Sequence, residues 1–314
     1  MRAEIHTRKS LILLAETGAV FAALLVATLA ALRSLPPGLA WPAIVILAVA
    51  QGLWFDRLYT VAHEAVHSKL FPGRRGVNDL IGMALMAPVV APFTIFRRIH
   101  GFHHGGNRRD PATAALDHMR VPANAGPAAV AARRGLWYFY VFAGGFFLHT
   151  LAAILIFLVV PERRAVRISP VFRGWPIRLR LLSWAQFVVG VGFHAGFAAA
   201  FGGLAWMAAL GLPMLVFAWF WSMLLYVYHY RTSVGRDVRL NVRSLPRQPF
   251  FSWLLLNFNE HSTHHRDPSI PWYDLPKRRV PLPPSHAGND DSKTLLQAVL
   301  RQKAGPVLWS GDGS

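Results

Sequence analysis

The sequence predicts an all-α integral membrane protein: four transmembrane helices, an embedded or interfacial segment, and a helical, metal-binding cap on the cytoplasmic side. Three observations predict it. More than half of the 314 residues are hydrophobic (54%) and the mean hydropathy is positive. The apolar residues fall in long unbroken runs, and a run of about 18 or more is long enough to cross a bilayer. Histidines recur at helical spacing beside the ends of those runs.

The runs occupy residues 11–32, 40–62, 136–160 and 181–228. The last is long enough for two helices, with Gly202–Gly203 or Gly211–Leu212–Pro213 as candidate breaks. The first run is too long for a signal peptide, contains Glu16, and is followed by further spans. Residues 83–96 are apolar but hold Pro88 and Pro92, which suits an interfacial segment too short to span.

The formal net charge is +18, carried mostly by arginine outside the apolar runs. Positive loops stay cytoplasmic. Arg2, Arg8 and Lys9 therefore place the N-terminus inside, and Lys69, Arg74, Arg75, Arg97, Arg98, Arg108, Arg109, Arg120, Arg133 and Arg134 place the loop after the second run there too. Residues 161–180 hold six arginines and one glutamate, so this loop is also expected inside. Parity then requires that one candidate helix fail to cross. Residues 136–160, with Gly144, Gly145 and His149, are expected to dip in and return or to lie along the interface. The charge fits anchoring against anionic lipid. It carries no nucleic-acid-binding motif. Residues 1–276 are read as the membrane domain, and residues 277–314 as a polar cytoplasmic tail with one helix near 292–302.

The chain has no cysteine, so any metal must be held by His, Asp or Glu. Eight of the 14 histidines form three clusters: His63 and His67; His100, His103 and His104; His261, His264 and His265. Residues three and four apart share a helix face, so each cluster can aim two or three imidazoles at one place. Imidazole suits iron, zinc, copper and nickel. Eight ligands exceed the needs of one ion and suit two. His6, His118, His194 and His286 are isolated and read as ordinary hydrogen-bonded residues.

The ordered set H-x(3–4)-H, H-x(2–3)-H-H and a distant H-x-x-H-H after the last span resembles the membrane fatty acid desaturase superfamily. Asn78-Asp79, Arg97-Arg98, Asp110-Pro111 and the run Pro271-Trp272-Tyr273-Asp274-Leu275-Pro276 resemble bacterial members, and the likeness covers residues 53–276. It implies two iron ions, O2 as co-substrate, and oxidation of an unactivated C–H bond in a lipid or acyl substrate. It also implies a separate electron donor such as a ferredoxin or reductase, because no donor domain is recognisable in the chain. Members often use one more histidine at the end of the last span, which here is His229, 32 residues before His261. Asn257 and Asn259 are candidates to orient ligands or a bound water. Asp110, Asp267, Asp237, Glu64 and Glu260 are candidates to accept imidazole N–H groups, as metal-bound histidines require, or else to pair with arginine.

Fatty acyl desaturation is the first expectation. Carotenoid ketolation or hydroxylation, fatty acid hydroxylation and alkene-forming decarboxylation are the alternatives within the superfamily. Two readings lie outside it. His63-Glu64-Ala65-Val66-His67 matches the H-E-x-x-H of zinc proteases, but that leaves six clustered histidines unused. A metal transporter would need polar residues within the spans, whereas the clusters sit at the membrane edge.

Overall fold

The computed structural model describes residues 6–310. Arg2 and residues 311–314 of the tail lie outside that range. Among the described residues four helices are long and apolar enough to cross a membrane: α1 (Thr7–Ser34), α2 (Pro37–Val66), α7 (Ile177–Phe201) and α8 (Gly203–Leu224). They form two hairpins. The first turns at Leu35–Pro36 and the second at Gly202, whose φ of +90° is open to glycine and costly for other residues. The other candidate break is no break. Pro213 cannot donate to the helix ladder, and the chain absorbs this in one π-helical turn over Met207–Gly211 while continuing straight on.

Both hairpin turns lie at the same edge of the molecule, where Ala31, Ala40, Ile44 and Ala208 pack together. At the opposite edge the start of α1 meets the chain that follows the third histidine cluster. The His6 N–H donates to the Tyr273 hydroxyl (2.8 Å), and the Lys9 ammonium lies 3.8 Å from the Tyr273 ring centre. α2 and α8 cross closely because residue 52 is glycine. A Cβ there would lie 2.6 Å from Val216 Cγ1 and 2.9 Å from the Pro213 carbonyl.

Two further segments are helix pairs sharply bent at a short break. Residues 136–160 fall within α5 (Pro127–Phe142) and α6 (Gly145–Val159), which meet at 90°. Their 16 and 15 residues are each shorter than a span needs. Gly144 turns the chain at φ +81°, and a Cβ on Gly145 would meet the Phe139 carbonyl at 2.8 Å. α3 (Arg75–Met86) and α4 (Phe93–Gly106) meet at 102° through Pro88, Val90 and Pro92.

After α8 the chain forms loops around one short helical turn at Pro249–Leu254, then the short α9 (His261–Arg266) and α10 (Leu295–Arg301). α10 packs Leu295 and Ala298 against Leu224, Val227 and Leu245. Beyond it, β2 (Val307–Trp309) runs parallel to β1 (His118–Arg120). Gln302 is fully buried between them and the spans. Its side-chain amide donates to the Met223 carbonyl (2.9 Å), and its backbone carbonyl accepts from the Trp137 indole (2.8 Å).

Candidate metal centre

Four elements bring nine histidines together. α2 ends at its cap with His63 and His67, one turn apart. α4 contributes His100, His103 and His104, and α9 contributes His261, His264 and His265. His229 comes from the turn just after α8, where its N–H donates to the Tyr226 carbonyl (3.0 Å).

The nine sort into two sets. His63, His67, His100, His104 and His264 form one; His103, His229, His261 and His265 form the other. Within each set one nitrogen from every ring lies within 4.8 Å of all the others. α4 feeds both sets because successive helical residues point about 100° apart, so His103 and His104 diverge. α9 divides in the same way, sending His264 to the first set and His261 and His265 to the second. The rings of His104 and His265 stack at 4.4 Å where the sets adjoin.

The nitrogens converge rather than pair with acceptors. Nε2–Nε2 separations are 2.8 Å for His67–His100, 3.0 Å for His100–His104 and 3.0 Å for His104–His264. In the second set they are 3.0 Å for His229–His261 and 3.2 Å for His103–His265. A neutral imidazole has one donor and one acceptor nitrogen. His104 Nε2 faces two other ε-nitrogens, and neither nitrogen of buried His63 makes a hydrogen bond among the described residues. Burial also keeps these rings neutral. It pushes His103 down to about 4 and His104 to about 2, and it holds His100, His229, His261, His264 and His265 well below the usual imidazole value. Neutral imidazoles with lone pairs facing inward are the form that binds a metal. The residues present therefore fit one cation in each set.

Surrounding side chains fix this arrangement. Phe258 wedges beside His261 (4.4 Å between ring centres) and His63 (5.2 Å), and Tyr228 lies 4.8 Å from His261. Glu64 Oε1 lies 2.8 Å from Lys69 Nζ and 3.6 Å from His63 Nδ1, while Oε2 accepts from the Trp272 N–H (3.1 Å). Glu260 accepts from Asn259 (3.1 Å) and pairs with Arg279 (3.3 Å). The Asn259 amide also donates to the Leu245 carbonyl (3.3 Å), and its buried oxygen has no partner among the described residues. Asn257 adopts a left-handed backbone and donates to the Trp272 carbonyl (3.0 Å), tying the loop after α9 to the chain before it.

Asp110 and Asp267 serve their own loops. Asp110 accepts from the N–H groups of Ala112 (3.0 Å) and Thr113 (2.8 Å) and from the Thr113 hydroxyl (2.6 Å). Asp267 accepts from the Ser269 N–H (3.0 Å) and hydroxyl (2.5 Å). The isolated histidines have other partners. His118 meets Asp117 (3.1 Å), His286 meets Ser285 (2.9 Å), and His194 is held by the Pro88 carbonyl (2.9 Å) and the Trp206 indole (3.1 Å).

Sequence reasoning missed one structural group. Arg108 and Asp117 form a fully buried ion pair. Arg108 also donates to the Tyr226 hydroxyl (2.8 Å) and the Thr232 carbonyl (2.8 Å), and Asp117 accepts from the Arg231 N–H (2.7 Å). This joins the end of α4 to the turn carrying His229. Nothing local in the sequence distinguishes these two residues from the many exposed charges around them.

The sequence model of one protein family, Fatty acid desaturase, matches residues 39–287. A curated relative is the sn-1 oleoyl-lipid 12-desaturase of Synechocystis sp., 24% identical over 272 residues that cover 76% of this chain and 67% of that protein. All nine converging histidines lie inside the family match.

Proposed function

Because the chain belongs to the fatty acid desaturase family, we propose that it is a non-haem di-iron, O2-dependent fatty acyl desaturase of the membrane. The observation that supports this best is the pair of largely buried, adjoining imidazole sets, five and four strong, which among the described residues include no carboxylate. His63, His67, His100, His104 and His264 would hold one iron. His103, His229, His261 and His265 would hold the other. Bound iron would supply O2 activation for cleaving unactivated C–H bonds. The overall change balances as –CH2–CH2– plus O2, two electrons and two protons giving –CH=CH– and two water molecules. The electrons require a separate donor, such as a ferredoxin or reductase.

The chain's own residues exclude water and offer an apolar approach. From the bilayer side, Phe55 meets Phe217 (6.0 Å between ring centres) and Trp221 meets Tyr59 (5.9 Å). Tyr59 packs on Phe96 (4.9 Å), and Phe96 lies 5.8 Å from His100. Such a wall suits a hydrocarbon chain with few polar groups. The name of the Synechocystis relative supports a lipid-linked acyl chain as the substrate class. The arginine-rich loops meet the histidine side of the bundle, where Arg98 donates to the Val171 carbonyl (2.8 Å), and this supports a cytoplasmic centre in a bacterial inner membrane. A zinc-protease role for Glu64 is disfavoured because both of its oxygens are engaged, by Lys69 and by the Trp272 N–H.

The test is expression in a host with a reductase, followed by gas chromatography–mass spectrometry of its lipids and metal analysis of the purified protein. A new double bond with two iron ions per chain is expected. A single zinc per chain and unchanged lipids would overturn the proposal.

A further inference from the structure

α4 has a second face that the metal centre does not use. His100, His103 and His104 project from one side, while Thr94, Arg97, Arg98, Gly101 and Gly105 lie on the other, with Arg109 in the loop that follows. On that other side is an open groove of about 720 Å3, bounded by α3, α4, the start of α7 and the loop before α7. It contains none of the nine histidines.

Its lining is amphiphilic. Four guanidiniums, Arg75, Arg97, Arg98 and Arg109, share it with two carboxylates, Asp79 and Asp110. Both carboxylates are occupied: Asp79 pairs with Arg97, and Asp110 caps its own loop. Arg98 is held by the Val171 and Arg173 carbonyls, which leaves its charge uncompensated. Arg75 and Arg109 are exposed and have no side-chain partner among the described residues. Most of the remaining wall is apolar, with Met83, Phe93, Trp175 and Leu182. Leu182 lies in the second turn of a membrane-spanning helix, so the groove runs from the charged membrane edge into the hydrocarbon layer. A reciprocal pair closes its inner end: the Thr94 N–H donates to Gln186 Oε1 (3.0 Å), and the Gln186 amide donates to the Thr94 hydroxyl (2.7 Å).

We propose that this groove binds an anionic, chain-bearing lipid, with its phosphate at Arg75, Arg98 and Arg109 and an acyl chain along Met83 and Leu182. Arginine forks suit phosphate oxygens, and the excess of positive charge excludes zwitterionic head groups as the better fit. A volume of this size takes a head group together with the first part of a chain. The bound lipid sits behind α4, a helix thickness away from the imidazoles, and so braces the helix that supplies three of them.

The experiment uses the full chain in detergent, equilibrated with mixed micelles of phosphatidylglycerol and phosphatidylcholine of equal chain length. Retained lipid is counted by native mass spectrometry. The wild type is expected to retain phosphatidylglycerol preferentially. Arg75→Gln with Arg109→Gln should weaken that retention roughly tenfold to thirtyfold, taking about 1 kcal/mol for each arginine near a membrane surface. Arg75→Lys with Arg109→Lys should restore most of it, which separates lost charge from a damaged fold. Leu182→Asp should weaken phosphatidylglycerol and leave inorganic phosphate unaffected. Equal retention of the two lipids, or no effect of the double Gln variant, would overturn the proposal. So would full displacement by millimolar inorganic phosphate, which would mark a free-phosphate site. Unchanged lipid retention with slower reduction by an acidic ferredoxin would instead mark a protein-docking surface.

Discussion

His229 Nε2 lies 3.0 Å from His261 Nε2, although the two residues belong to different elements and His229 stands outside the three histidine clusters. Its ring is also 4.6 Å from that of His103 and 5.0 Å from that of His265. The second imidazole set has four members and cannot lose one without becoming three-coordinate from the protein.

His229→Ala is therefore expected to lower iron from two ions per chain towards one and to abolish turnover, while the protein still inserts. Metal analysis and a desaturation assay on the same preparation check this. Full iron content with normal turnover would remove His229 from the ligand set.

The absence of native cysteine makes sidedness simple to measure. Ser34→Cys and Gly203→Cys place single thiols at the two hairpin turns, and Ser285→Cys places one at the histidine side. A membrane-impermeant maleimide should label the first two in intact spheroplasts and the third only after permeabilisation. The reverse pattern would put the metal centre outside.

The buried Arg108–Asp117 pair should be costly to break from one side. Arg108→Met leaves the buried Asp117 carboxylate without its guanidinium and should cost about 3–5 kcal/mol, read as a lower Tm in detergent. Arg108→Met with Asp117→Asn should cost less than Arg108→Met alone. Burial pushes the Asp117 carboxyl up, but His118, Arg108 and the Arg231 N–H together bring it below its ordinary value of 3.8. A depressed carboxylate contributes stability that is fully present above the unfolded value and lost as pH falls through the folded one. Wild-type Tm should thus fall as pH drops below about 3.8, and the fall should be shallower in Asp117→Asn.

Gln302 caps the last turn of α8 through the Met223 carbonyl and receives the Trp137 indole, both from a fully buried position. Gln302→Ala should lower stability by about 1–3 kcal/mol, because it leaves the Met223 carbonyl without this donor. Thermal denaturation measures the effect. An unchanged Tm would show that the segment beyond α10 adds nothing to the bundle.

The four spans were legible because an unbroken apolar run has no stable place except the bilayer, whatever its neighbours. The glycines at 144 and 145 marked where residues 136–160 bend, because a positive φ and a close backbone approach both favour glycine. The histidine clusters were legible because three- and four-residue spacing fixes a common helix face. Local sequence did not show which imidazoles share a set. That depends on how α4 and α9 are rotated against each other, and each helix points its histidines in two directions. The tertiary structure also decided the partners of the carboxylates. Asp110 and Asp267, beside the clusters in sequence, bond N–H groups two and three residues on, a local option that outcompetes a distant ring. Asp117 had no such marker, and only the packing of β1 against the turn after α8 buries it with Arg108. The sequence by itself determined that imidazoles would gather at one membrane edge. Their division into two sets arose from long-range packing, because side-chain direction is set by helix orientation and not by spacing along the chain.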